Sequence, residues 1–384
     1  MTGSDLKRRG PERAQWLVAG LGLAALAAAA LASPAHTRAA LGQDWSPFVL
    51  VVGLLLVGRV ADQDGLFAAA GRRLARLSKN GALLFLGASL MIGLVTAILN
   101  LDTSVAFLTP VLVYTARSRG GGEAPLLYGC LLLSNAGSLF LPGSNLTNLI
   151  VLGHLHLTGA QFFSKMWLAA LAAILVTAAV IIGFEHRSLM TPTRELPPRQ
   201  RPVIGLGLVA MVVTTVLVLT LRAPALPVFV VGIVVVGLRV ATRRQRSTGV
   251  VSGLGAPVLT GLFGLAVALG ALGRTWTGPA TLLSHLDGWG TAAAGAVGAV
   301  VVNNLPAASL LSARTPGHPF ALLVGLNLGP NLFVSGSLAW LLWWQTARNA
   351  GATPRLATAS RIGVVVVPLS MGAALGVLAL TGSL

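Results

Sequence analysis

The sequence predicts an all-α polytopic membrane protein made of two inverted repeats, each with a re-entrant helical hairpin and a broken transmembrane helix. Three observations predict it. The chain is 55% apolar and only 10% charged, with a mean hydropathy of +0.81, and its apolar residues fall in runs of roughly 16 to 22, the length a helix needs to cross a bilayer. Four further apolar segments, 80–116, 124–153, 290–313 and 318–347, are broken by Asn, Ser, Gly or Pro. Those four match one another in two pairs.

A soluble core is excluded, because the sequence provides none of the water-facing helix surfaces that such a core needs. The balance of 27 Lys and Arg against 10 Asp and Glu does not indicate nucleic acid, since no basic stretch is interleaved with aromatics; the lipid bilayer is the simpler partner. One cysteine, Cys130, permits neither an internal disulfide nor a thiolate cluster. The first apolar run, WLVAGLGLAALAAAALASPAH, follows Lys7, Arg8, Arg9 and Arg13 and has the look of a signal peptide. Further spans follow at once, so the expectation is an uncleaved first helix.

Uninterrupted helices are expected near 15–32, 46–61, 167–185, 203–221, 225–240, 251–272 and 359–380. The organisation that follows is a cytoplasmic basic tail (1–14), a first transmembrane helix with an external loop (15–44), repeat 1 (45–185), a cytoplasmic loop (186–202), linking helices (203–250) and repeat 2 (251–384). Charge orients the chain, because Lys and Arg near helix ends stay mainly in the cytoplasm. With the N-terminus inside, only Arg38, Lys165, Arg222, Arg274 and Arg314 fall outside and the other 22 basic residues fall inside. This is the pattern of a multi-pass protein of the cell (plasma or inner) membrane with a cytoplasmic N-terminus. Lys79 and the pair Arg117 and Arg119 put both ends of 80–116 on the cytoplasmic side, so that segment is expected to go in and come back, turning at LNLDTS.

In the repeat, LDTSVAFLTP from 101 aligns with NNLPAASLLS from 303, and SNAGSLFLPGSNLTNLIV from 134 aligns with LNLGPNLFVSGSLAWLLW from 326. Upstream, PFVLVVGLLLVGRV from 47 resembles PVLTGLFGLAVALG from 257. The first copy enters from the cytoplasm and the second from outside, an arrangement typical of secondary transporters, whose broken helices meet at the midplane. Irregular backbone at that depth survives only inside protein or beside a water-filled cavity. Pro142, Gly143, Pro306 and Gly336 permit the breaks. The polar residues gathered there are the candidate substrate or ion ligands: Asn100, Asp102, Thr103, Ser104, Asn135, Ser138, Ser144, Asn145, Thr147, Asn303, Asn304, Asn327, Asn331, Ser335 and Ser337. Small and hydroxyl residues also glue helices together without binding anything.

Asp102 stands apart. The other nine acids, Asp44 among them, map to tails, loops or interfaces, which leaves Asp102 as the one ionisable residue in the membrane interior. A charged Asp at a helix centre costs roughly 2.5 to 3.5 kcal/mol on insertion scales, so it is kept for a reason. Proton coupling is the expected role, against the alternative of a structural cap. His154 and His156 have the spacing of a metal pair, but two ligands do not make a site. Cys130 reads as core. The amphipathic stretches LFAAAGRRLARLSK and GPATLLSHLDGW are expected at opposite membrane surfaces. No Ser/His/Asp set, paired acids or HExxH motif occurs at depth, so no catalytic residues, metal or cofactor are expected and the protein does not read as an enzyme. A passive channel would need a continuous lining; paired breaks favour a gated carrier.

At these residues the sequence resembles the arsenical pump membrane protein family of the ion transporter superfamily, which also holds citrate and dicarboxylate carriers and some sodium/proton carriers. The resemblance runs from about residue 45 to 380. Asp102 matches the acid of the family's Asn-Asp pair, with Leu101 in the Asn position and Asn100 before it. The second-half Asn-Asn-x-Pro is complete as Asn303, Asn304, Leu305 and Pro306; Ser-Asn-Leu-x-Asn is complete as Ser144 to Asn148; and Asn327 to Asn331 followed by Gly336 to Trp343 carries the last element. Asn135 and Asn327 are amides where some arsenical pumps have acids. The resemblance implies efflux of arsenite or antimonite by proton antiport, or with a partner ATPase; a homodimer is the other protein partner this leaves open. A sodium-coupled di- or tricarboxylate carrier and a sodium/proton antiporter are the alternatives.

Overall fold

The computed structural model describes residues 3–153, 155, 157–190, 205–242 and 256–384, with side chains from residue 15 onward. His154, His156 and the basic residues at 194–201 and 243–246 lie outside the described residues. Every described element is helical, as a chain in lipid requires when it has no water to satisfy its backbone. Among the described residues, six helices are long and apolar enough to cross a membrane.

Helix α1 (Gly3–Ala32) and α2 (Pro34–Gln63) are separated by Ser33 alone, and Pro34 opens α2 at the position where a missing N–H costs nothing. Residues 34–44, expected as an external loop, are therefore helix: after Pro34 nothing in AHTRAALGQD stops it. Its 30 residues reach about 45 Å. The surface helix α3 (Leu66–Leu77) buries Phe67, Gly71 and Ala75 and exposes Arg72, Arg73 and Arg76. Helices α4 (Gly81–Ile98) and α5 (Leu101–Ser118) form the first hairpin, turning at Leu99 and Asn100 as expected; at its open end Arg119 donates to the Ser78 carbonyl at 2.7 Å. The first broken helix is α6 (Ala124–Gly137), a 3₁₀ turn at Pro142–Ser144, and α7 (Leu146–Leu152).

Helices α8 (Gly159–Leu189), α9 (Leu206–Thr220) and α10 (Ala225–Ala241) follow. Asp64 just beyond α2 accepts from the Gly207 N–H at 2.7 Å and pairs with Arg239 of α10, so those three helix ends share one face. The second copy begins with α11 (Ala256–Thr275) and the short α12 (Gly278–Ser284). Its hairpin is α13 (Gly288–Val302) and α14 (Asn304–Leu311). Its broken helix is α15 (Pro319–Leu328), a 3₁₀ turn at Gly329–Leu332, and α16 (Leu338–Asn349), before α17 (Leu356–Leu380) closes the chain.

Contacts between helix ends establish the inversion without reference to charge. Arg117, at the open end of the first hairpin, donates to the carbonyls of Ala350 and Gly351 just past α16, at 2.9 and 2.8 Å. At the opposite face the Gln43 amide donates to Ile150 O of α7 at 2.9 Å and to Ser312 O just past α14 at 3.4 Å. Each hairpin thus opens where the other copy's broken helix ends. Helix α1 lies against α11 through Gly22 and Gly261, where a Cβ on either would run into the facing backbone. Trp340 and Trp343 are fully buried with their indole N–H groups satisfied by Pro330 O and Leu127 O, both at 2.8 Å.

Candidate transport site

The two hairpin tips are built differently. In the first, the Asn100 side chain accepts from the Thr103 N–H at 2.7 Å and caps α5, which places Asp102 in the first helical turn. In the second, Asn303 has φ +78° and ψ 146°, a region that side chains other than glycine's avoid. Hydrogen bonds hold it there: Asn303 Nδ2 donates to Ser335 O at 3.2 Å, the Asn304 N–H to Gly336 O at 2.9 Å, and Ser335 Oγ to Val300 O at 2.7 Å. The second tip is thereby docked on the break of the second broken helix. Asn303→Gly should relieve about 1 to 2 kcal/mol of strain but lose bonds to Ser335 O and the Leu305 N–H worth about as much, so the melting temperature should change little while transport slows.

Between the tips lies a cavity of about 20 Å³, lined by Leu101, Asp102, Asn145, Leu146, Asn303, Asn304, Leu305, Ser337 and Leu338, with Leu259 and Leu262 of α11. That volume holds one water-sized species, so any larger cargo enters only when the tips part. Its lining follows the repeat register: Leu101 and Asp102 oppose Asn303 and Asn304, and Asn145 and Leu146 oppose Ser337 and Leu338. The cavity therefore sits where the two inverted copies meet. Asn145 caps α7, Asn303 caps α14 and Ser337 precedes α16, so half-helix N-termini from both copies face it, together with that of α5. Their free N–H groups and dipoles favour oxygen atoms and negative charge. Asp102 is the single ionisable group in the lining, and it forms no ion pair among the described residues. Ser337 Oγ is buried and unpartnered.

Behind the cavity a buried amide network joins the copies. Asn327 Oδ1 accepts from Asn145 Nδ2 and Ser138 Oγ, both at 2.6 Å, and from Thr147 Oγ1 at 3.4 Å; Asn327 Nδ2 donates to Asn148 Oδ1 and Leu323 O, both at 2.8 Å. Asn135 Nδ2 donates to Asn331 Oδ1 at 2.8 Å, and Asn331 Nδ2 returns to Leu132 O at 3.2 Å. Ser144 Oγ and Asn148 Nδ2 bind the open carbonyls of Ser138 and Leu141 across the break. These two freed carbonyls thus find partners inside protein.

Residues 9–346 match the family described as Citrate transporter. The chain belongs to the citrate transporter family. Among curated relatives it is similar to the Arsenical pump membrane protein of Escherichia coli, 24% identical over 358 residues covering 84% of this chain and 83% of that one. It is also similar to the Arsenical pump membrane protein of Yersinia enterocolitica, 24% identical over 361 residues at the same coverage. Among solved structures it is similar to the YdaH transporter of Alcanivorax borkumensis, described as having an unusual topology, with a TM-score of 0.50 at 15% identity over 88% of this chain and 86% of that one. That likeness concerns the fold. As a member of the citrate transporter family the protein is a multi-pass membrane transporter.

Of the expected ligands, Asp102, Asn145, Asn303, Asn304 and Ser337 line the cavity of this citrate-transporter-family protein. Asn135, Ser138, Thr147, Asn327 and Asn331 sit in the network behind it, and Ser144 closes the break. Ser104 Oγ lies 3.3 Å from Ser134 Oγ between α5 and α6. Thr103 is buried against Gly58 of α2 with its hydroxyl unpartnered; Asn100 is the cap, and Ser335 an exposed brace. Two residues outside the expected set emerge. Asn148 anchors the network and was visible in the Ser-Asn-Leu-Thr-Asn element. Asp44 is only 1% exposed, within α2 rather than in a loop, and no local signal in the sequence distinguished it.

Proposed function

We propose that this transporter exports arsenite or antimonite by proton antiport, with Asp102 carrying the coupling proton and the cavity opening alternately to the two faces. The observation that carries the reading is the cavity lining: corresponding positions of both copies, one carboxyl, three amides and a hydroxyl, with no Lys, Arg or His. Arsenite at neutral pH is a neutral trihydroxy acid that needs donors and acceptors but no counter-charge. Half-helix N-termini supply donors to its oxygens, and the Asp102 carboxylate offsets their positive field. When Asp102 takes a proton that balance is lost, so proton and cargo bind in competition, as exchange requires. The relatives named as arsenical pumps support the same cargo.

One observation favours a carboxylate instead. A second cavity of about 420 Å³ beside α2 and α7 is lined by Arg222 and Arg274, a pair that attracts anions to that face. Expression in an arsenite-sensitive cell lacking its own pump separates the two: the proposal expects restored arsenite resistance and no sodium-dependent citrate uptake. Citrate uptake without resistance would overturn it.

A further inference from the structure

Asp44 is a buried carboxyl that the cavity between the tips does not use. It is 1% exposed, and among the described residues its one hydrogen-bonding side chain is Ser309, itself 1% exposed, whose Oγ lies 3.4 Å from Oδ1 and 3.3 Å from Oδ2. Ser309 has a single proton to donate, so the carboxyl is served by one hydroxyl. Arg274 of α11 acts on it through its charge but forms no ion pair with it among the described residues. The guanidinium is held instead by Gln43 Oε1 at 2.5 Å and Gly270 O at 2.8 Å. Two further cations stand on this face: Arg222 lines the same cavity as Arg274, and Arg314 donates to the Arg274 carbonyl at 3.5 Å.

Two placements make this cluster more than a structural pair. Gln43 and Arg274 line the 420 Å³ cavity, which puts Asp44 directly behind its wall. Ser309 belongs to α14, whose first turn lines the cavity holding Asp102; from Asn304 to Ser309 the helix rises about 7.5 Å. One half-helix therefore has a carboxyl near each end, one contributed by α5 and the other by α2. We propose that Asp44 is a second coupling carboxyl, which exchanges a proton with water in the 420 Å³ cavity and, through Ser309, makes the docking of the second hairpin depend on its charge. As a carboxylate it accepts from Ser309; on taking a proton from water in the cavity it can donate to Ser309 Oγ, which reverses the bond and frees the Ser309 hydrogen for another acceptor. The inference rests on the proton-coupled reading above, and its test includes a readout that needs no cargo.

That readout is the infrared carboxyl-stretch difference spectrum of the full-length protein in liposomes as the bath is taken from acid to neutral pH. Wild type should show an exchanging carboxyl band that Asp44→Asn removes, Ser309→Ala displaces and Asp102→Asn retains. In parallel, arsenite flux driven by a pH gradient should fall by on the order of a hundredfold in Asp44→Asn, and Ser309→Ala should shift the pH of half-maximal flux on the side of the 420 Å³ cavity. A band unchanged in Asp44→Asn overturns the inference. If that variant does not reach the membrane, an unchanged band and pH profile in Ser309→Ala overturn it. Wild-type protein that moves no arsenite refutes the proposed cargo, while the infrared band still decides Asp44.

Discussion

Asp102→Asn should insert and fold like the parent chain but lose pH-driven arsenite accumulation by on the order of a hundredfold, the scale of removing an essential proton-transfer group. Folding is spared because the amide is nearly isosteric and removes a carboxyl that costs roughly 2.5 to 3.5 kcal/mol at a helix centre. It also keeps the first-turn position that Asn100 organises by capping α5. The lost function follows from the lining: with Asp102 gone, the cavity between the copies has no group that changes charge. The measurement is arsenite accumulation in proteoliposomes under an imposed pH gradient, scored beside the melting temperature in detergent. Unimpaired accumulation would remove Asp102 from the coupling mechanism.

Asn327→Leu should differ from Asp102→Asn in carrying a large loss of stability. Asn327 accepts from Asn145 and Ser138 and donates to Asn148, all at 2.6 to 2.8 Å and all buried. Ser138 retains Asn135 O at 2.7 Å, but the Asn145 amide and the Asn148 carbonyl are orphaned. At about 1 to 3 kcal/mol for each unpaired buried group, the substitution should cost about 3 kcal/mol. Transport should fall as well, since Asn145 loses the bond that aims it beside the cavity. A thermal melt and an arsenite flux assay read both. A melting temperature equal to the parent's would show that the network contributes nothing to the joining of the copies.

The hairpins, the breaks and the register between copies were legible because polar residues in apolar runs are costly and must serve something. Aligning LDTS with NNLP and SNL with GSL brought together the residues that line the cavity, Asp102 with Asn304 and Asn145 with Ser337. What the sequence could not separate was binding from bracing. Ser138 and Asn327 have the chemistry of ligands, but they spend it on each other and their neighbours, and Asn135 gives its amide N–H groups to Asn331 and Leu131. That choice depends on how the two copies cross, which pairs residues about 190 positions apart. The burial of Asp44 was hidden for a related reason. It depends on α2 running unbroken from Pro34, and its partners Ser309 and Arg274 lie more than 200 residues away.

The central claim is that protons and a neutral oxyacid exchange through the one site the two copies share, and coupled flux tests it most directly. Proteoliposomes with an acidic interior, placed in neutral buffer containing arsenite, should accumulate arsenite above the bath concentration while their interior alkalinises faster than without arsenite, and collapsing the gradient beforehand with a protonophore should abolish the accumulation. Arsenite that only equilibrates, with the interior pH unmoved, would contradict the account.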